Sequence, residues 1–259
     1  MSIKLEDIKY ELLCEKSFSI EGQSMLPNEI PGARVLCFKT RKNDERIIKK
    51  EKNIINILFL LKGRIEVCSK NNKTIISNPS VYVDYPNIDY SIKTIYKSEF
   101  LLIKWELNND DLRELELKKD LFPFTQAYKD ALQYRDPFKS ETTISRAIII
   151  HDFIPRFAMG SVEAKGDDLV GQHSHPLLDQ FFFSLEDNDA DLLIDCRIFN
   201  FKRNTLIHIP LGSNHGVIAR GNQKMHYLWL DFTPKAQKED AVAYLNDTHK
   251  PTGLKEELK

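Results

Sequence analysis

All seven histidines of this 259-residue chain, His151, His173, His175, His208, His215, His226 and His249, lie in its second half. His173 and His175 are separated by one residue. On a β-strand that spacing sets two imidazoles on one face, about 6.5 Å apart along the backbone, which is a two-point grip for a metal ion on a rigid support. Five residues past His175 comes Gln180, and the later run Pro210-Leu-Gly212-Ser-Asn-His215 brings a third histidine. Sulfur chemistry is not indicated. Cys14, Cys37, Cys68 and Cys196 have no short mutual spacing, which excludes a CxxC knuckle and a dense disulfide framework and leaves them as reduced, mostly buried thiols.

The elements that must hold these residues are strands. Short runs rich in Val, Ile, Phe and Tyr recur at 57–61, 80–85, 100–107, 157–164, 205–209 and 225–232. Turn formers such as Lys62-Gly63, Asn71-Asn72 and Asp187-Asn188-Asp189 separate them, an all-β pattern. From about Asn109 to Tyr134 the leucines and alanines take helical spacing with a break at Pro123, which predicts one or two short linker helices. Hydrophobic residues at 42% and charged residues at 29% describe a globular chain, not a disordered one. A net charge of −1 gives no electrostatic bias toward nucleic acid or an anionic membrane. The longest apolar run, from Ile54 to Leu61, is far short of the ~20 residues that span a bilayer. The amino terminus mixes acids and bases, unlike a secretory signal, so a cytoplasmic location is expected.

An internal repeat organises the chain. A shift of 124 residues lays Phe59 on Phe183, Leu61 on Leu185, Pro86 on Pro210 and Trp105 on Trp229. Four segments follow: a β-barrel over 1–108, a helical linker over 109–144, a second β-barrel over 145–234 and a tail over 235–259. Alternation in the first copy puts Leu101, Ile103, Trp105 and Leu107 toward the core, and the repeat carries that face to Met225, Tyr227, Trp229 and Asp231, with His226 pointing outward.

Together, HxH at 173–175 and PxGxxH at 210–215 resemble the two motifs of the cupin superfamily, G(x)5HxH(x)3-4E(x)6G and G(x)5PxG(x)2H(x)3N. Here they read GQHSHPLLDQ and NTLIHIPLGSNHGVIA, with Asp187 and Asn204 in place of glycines and Ala219 in place of asparagine. The resemblance implies two tandem β-jelly-roll barrels and a divalent transition metal, one of Zn, Fe, Ni, Co, Mn or Cu, held by His173, His175, Gln180 and His215. It also suggests a homodimer. The first barrel resembles a degenerate copy, because the ligand positions there become Lys49, Glu51, Asn56 and Ser91. Its texture is similar to the sugar-sensing arms of AraC-type regulators, but no helix-turn-helix follows Phe232.

Gln180 stands where the family has glutamate, and a neutral amide leaves the ion its full positive charge, suited to an anionic or enediol-like oxygen substrate. Asp179 is the competing ligand; neighbours alternate across a strand, so only one of the two faces the metal. Tyr227 shares the inward face and either orients substrate or is a core tyrosine. Arg156 either holds a substrate carboxylate or is an exposed arginine. His208 is expected on the solvent face, and His151 and His249 carry no signal. Two functions fit: a metal-dependent enzyme of isomerase or dioxygenase type acting on a small oxygen-rich metabolite such as a sugar, uronate or keto acid, and a non-catalytic sugar-binding or sensing protein.

Overall fold

The structure is a computed structural model that describes residues 9–12 and 22–233 apart from 71, 78, 137, 176 and 196. His249, Cys14, Cys196 and the tail 235–259 lie outside the described residues. The first strands are β1 (Tyr10–Leu12), β2 (Gln23–Met25), β3 (Ala33–Thr40), β4 (Glu45–Ile48), β5 (Ile54–Ser69), β6 (Asn72–Ser77), β7 (Ser80–Val83), β8 (Tyr90–Glu106) and β9 (Phe124–Ala127). After them come β10 (Leu132–Tyr134), β11 (Ile144–Ile154), β12 (Phe157–Lys165), β13 (Asp168–His173), β14 (Asp179–Ser184) and β15 (Asp189–Ile194). The last are β16 (Arg197–Lys202), β17 (Thr205–Ile209), β18 (His215–Ala219) and β19 (Lys224–Phe232). Each apolar run singled out in the sequence coincides with one of these strands to within two residues, so the all-β expectation holds. Among the described residues no helix is long and apolar enough to cross a membrane.

The chain forms two compact units, one holding β2 to β9 and the other β1 with β10 to β19. In the first, the strand order is β2-β3-β8-β5-β7-β9, with β4 on β8 and β6 on β5. The second repeats that path as β11-β12-β19-β14-β17-β1, adds β10 at its edge, and lays β13, β18, β15 and β16 beside one another. All pairings are antiparallel, as a barrel of hairpins requires.

Three expectations change. The segment 109–144 is helical only in part: α1 (Asn109–Glu116) starts at an Asn108 cap whose side chain accepts from the Asp110 and Asp111 amides. Beyond Pro123, β9 pairs with β7 and β10 with β11, so the alanines and Leu132 that suggested a helix flank or form edge strands. Lys62-Gly63 is a bulge within β5, not a hairpin turn. Gly63 has φ 101°, open to glycine alone without strain, and β5 continues to pair with β6 as far as Ser69.

The third change concerns the repeat. Phe59 pairs with Leu101 on the neighbouring strand, but Phe183 pairs with Leu228, so the offset grows from 124 to 127 by the last strand. Trp105 and Trp229 are therefore not equivalent. The first barrel's interior takes Phe100 and Leu102 with Leu58 and Leu60, while Leu101, Ile103 and Trp105 are buried on the opposite face of β8. In the second barrel the inward set is the expected one. Met225 and Tyr227 join the interior cluster with Phe182, Leu192 and Val217, and His226 reaches outward to Asp187. Each such buried side chain contributes ~1.5–3 kcal/mol, which makes the second barrel a rigid frame for what it encloses.

Candidate metal centre

Strands β13 and β18 pair through Val170 and Val217, slip by a bulge, and end with His173 directly opposite His215. His175 lies two residues past the end of β13, not on the strand, and its carbonyl accepts from the Gly212 amide at 3.2 Å, tying the HxH segment to the loop before His215. The three rings converge, with centroids 4.8 Å apart for His173–His175 and His173–His215 and 5.5 Å for His175–His215. One nitrogen of each lies within 4.8 Å of the other two.

Hydrogen bonds fix which nitrogen that is for two rings. His173 Nδ1 lies 2.8 Å from the Gly171 carbonyl and His215 Nδ1 lies 3.0 Å from the Ser213 carbonyl. A carbonyl only accepts, so both Nδ1 atoms carry the proton and both Nε2 atoms present a lone pair, the arrangement found behind metal-bound histidines. His215 Nε2 is buried and makes no hydrogen bond. Burial, followed by the nearby His173 ring, pushes His215 down to about 3, so it is neutral and able to ligate at ordinary pH. The cluster fits a transition-metal ion.

Gln180 is on β14 directly opposite Asp231 on β19, and both line the same cavity as the histidines. Gln180 Nε2 donates to Asp231 Oδ1 at 2.7 Å, which commits the amide nitrogen and leaves the oxygen as the atom that could ligate. Asp179 faces away and receives His208 Nε2 at 2.7 Å. The alternation thus turns Gln180, and not Asp179, toward the cavity. His208 is buried against Asp179, which corrects its expected solvent position: Asp179 supplies the partner that makes burial affordable. Asp231 is an outer partner of the site, and Asp231→Ala leaves the buried Gln180 amide without its acceptor. Metal affinity is expected to fall ~10–100-fold, read by competition with a chelator, and Asp231→Asn to recover most of it.

Tyr227 lines the cavity, and its ring packs on Phe182 at 4.9 Å. Burial first, then Tyr134, Asp136 and Asp231, hold its hydroxyl well above the usual phenol range, so it is a hydrogen-bond donor and not a base. Arg156 is not at the cavity. It occupies the β11–β12 turn with φ 58°, and its guanidinium donates to the Thr233 carbonyl at 3.0 Å, because the two flanking strands end there.

The cavity encloses about 400 Å³. The sequence reading missed several of its residues: Tyr134 at the end of β10, Asp136 and Lys139 just after it, His151 on β11, and Asp231. Asp231 was recoverable, since it belongs to the inward-facing set of β19. The others precede the motifs, and no spacing links them to the histidines. His151 stacks on Trp229 at 6.4 Å, where sequence gave it no role.

In the other unit the last residue of β4, Ile48, pairs with the first residue of β8, Tyr90, as His173 pairs with His215. Apolar packing thus replaces the imidazole pair. These, not Lys49 and Ser91, are the corresponding positions, since the offset drifts along the chain.

No protein-family model matches the sequence, and no curated protein matches it. Solved structures do. An oxalate decarboxylase from Lactobacillus farciminis in complex with formate superposes with a TM-score of 0.66 at 14% identity, covering 87% of this chain and 86% of that one. A cupin 2 conserved barrel domain protein from Leptotrichia buccalis gives 0.57 at 15%, covering 90% and 92%. The chain therefore has a cupin-type fold. Bacillus subtilis oxalate decarboxylase, in a study of its Mn(II) centres, gives 0.62 at 13%, covering 82% and 73%. At such identities the likeness speaks for the fold, and the chemistry of this chain rests on its own residues.

Proposed function

We propose that the second barrel is a metalloenzyme in which His173, His175, His215 and the Gln180 amide oxygen hold one divalent transition ion. The observation that carries this reading is the convergence of three imidazoles, two of them locked by backbone carbonyls with Nε2 toward the cluster. All four ligands are neutral, and a bound divalent ion would supply Lewis-acid polarisation of an oxygen group on the substrate. Around it, Asp231 orients Gln180, the Tyr227 hydroxyl donates into the cavity, and Phe182, Val162 and Val217 exclude water. This set suits proton movement next to a carbonyl, as in an isomerase, or dioxygen-dependent cleavage of an oxo or hydroxy acid.

The test is turnover on keto-sugars, uronates and 2-oxo acids with and without oxygen, after reconstitution with Mn, Fe, Co, Ni, Cu or Zn. Oxygen uptake identifies a dioxygenase and solvent-proton exchange without it an isomerase. Tight binding with neither, over the whole panel, rejects catalysis in favour of a sensing protein.

A further inference from the structure

Tyr134, Asp136 and Lys139 share one wall of the cavity, and the metal reading uses none of them. Lys139 Nζ lies 2.9 Å from Asp136 Oδ2, with side-chain exposures of 7% and 8%. The ammonium also sits 5.2 Å from the Tyr134 ring centroid. Asp136 Oδ1 accepts the Phe138 amide at 2.9 Å. Burial alone would raise the Asp136 carboxyl, but Lys139 outweighs it and holds the group below its ordinary value, so the pair is ionic.

The pair is also fixed relative to the histidines. Phe138 stacks on His173 at 4.7 Å, its carbonyl accepts the Gly171 amide at 2.7 Å, and Lys139 bridges to Val170. Taking an ion pair out of water is expensive, and one built only for stability is commonly bettered by apolar packing. This one borders an open cavity. An ammonium has three donors; Asp136 takes one, which leaves donors for a second oxygen. Apart from His151 and Tyr227, the remaining walls, Ile150, Val162, Val170, Phe182 and Trp229 among them, are apolar or aromatic and offer little to a polyhydroxylated sugar, whose unpaired hydroxyls would be penalised. With a divalent ion, one ammonium and at most two carboxylates, Asp136 and Asp231, the cavity is net positive.

We propose that Lys139 is the carboxylate anchor of this cavity, and that its ligand is a small acid with an apolar middle: an oxo or hydroxy group at the histidine end and a carboxylate on Lys139. The inference rests on the metal reading of the histidines.

Its test is titration calorimetry on the full chain loaded with Mn(II), comparing 2-oxoglutarate with 5-methyl-2-oxohexanoate, in which an isopropyl group replaces the distal carboxylate. Wild type should prefer the diacid by about tenfold or more, the effect of one charge-assisted contact. The double variant Asp136→Asn, Lys139→Met, which orphans no charge, should bind the two acids about equally and hold Mn(II) within about twofold of wild type. Lys139→Arg should keep the preference, and Lys139→Gln, a second variant should the double one not fold, should lose most of it. Equal binding by wild type, or a preference that survives removal of the ammonium, overturns the anchor alone. Failure of wild type to bind Mn(II), or any of the other ions, is seen before any acid is added and overturns the metal reading with it.

Discussion

Wild-type protein reconstituted with a divalent transition ion retains close to one equivalent through desalting, and the His173→Ala, His215→Ala double variant retains none. The two residues face each other across β13 and β18, and each carries its proton on Nδ1, bonded to a backbone carbonyl. Removing both takes away two preset lone pairs and leaves His175 with a neutral amide. The loss should far exceed the ~10–100-fold that follows from losing an outer partner. Fold is not at stake to the same degree: His215 Nε2 is buried without a hydrogen bond, so truncation removes a polar atom whose burial is unfavourable in the metal-free barrel. Elemental analysis with far-ultraviolet circular dichroism on the same samples decides the matter. Full retention by the folded variant would refute the three-imidazole site.

Gly160→Ala is expected to lower the unfolding midpoint by roughly 5–10 °C, a cost of ~2–3 kcal/mol. Gly160 lies mid-strand in β12, paired with Ala147 on one side and Trp229 on the other. A methyl group there would collide with the Trp229 indole and with the backbone carbonyl of Arg146. The carbonyl belongs to the adjacent strand and cannot turn aside, so the indole must move, and Trp229 is a wall of the cavity. The variant should therefore lose ligand affinity along with stability. Differential scanning calorimetry reads the stability, and an unchanged midpoint would mean the sheet there is far softer than its packing implies.

The fold was legible because its signals are local. Strands of Val, Ile and Phe alternate or run together between turn residues, and HxH with PxGxxH marks the barrel that keeps its histidines. Gly63 misled because a glycine beside lysine reads as a hairpin, whereas its left-handed φ serves a bulge inside a long strand. The gapless repeat misled for a related reason: bulges change strand register, and an offset exact at Phe59 is three residues out at Leu101. The site was legible where ligand and motif coincide, at His173, His175 and His215. It was illegible at Asp136 and Lys139, whose place beside His173 depends on how the segment after β10 folds back over β13, a non-local event with no sequence period.

Strand β1 gives the chain a topological constraint. Residues 10–12 pair with Leu206 and its neighbours on β17, although every other strand of that barrel lies beyond residue 131. A gene fragment cut between the units would leave the β17 edge bare, with a row of open amides and carbonyls ready to recruit another chain. A soluble isolated barrel would instead need Tyr10–Leu12 grafted onto it, so this protein is more naturally dissected by circular permutation than by truncation.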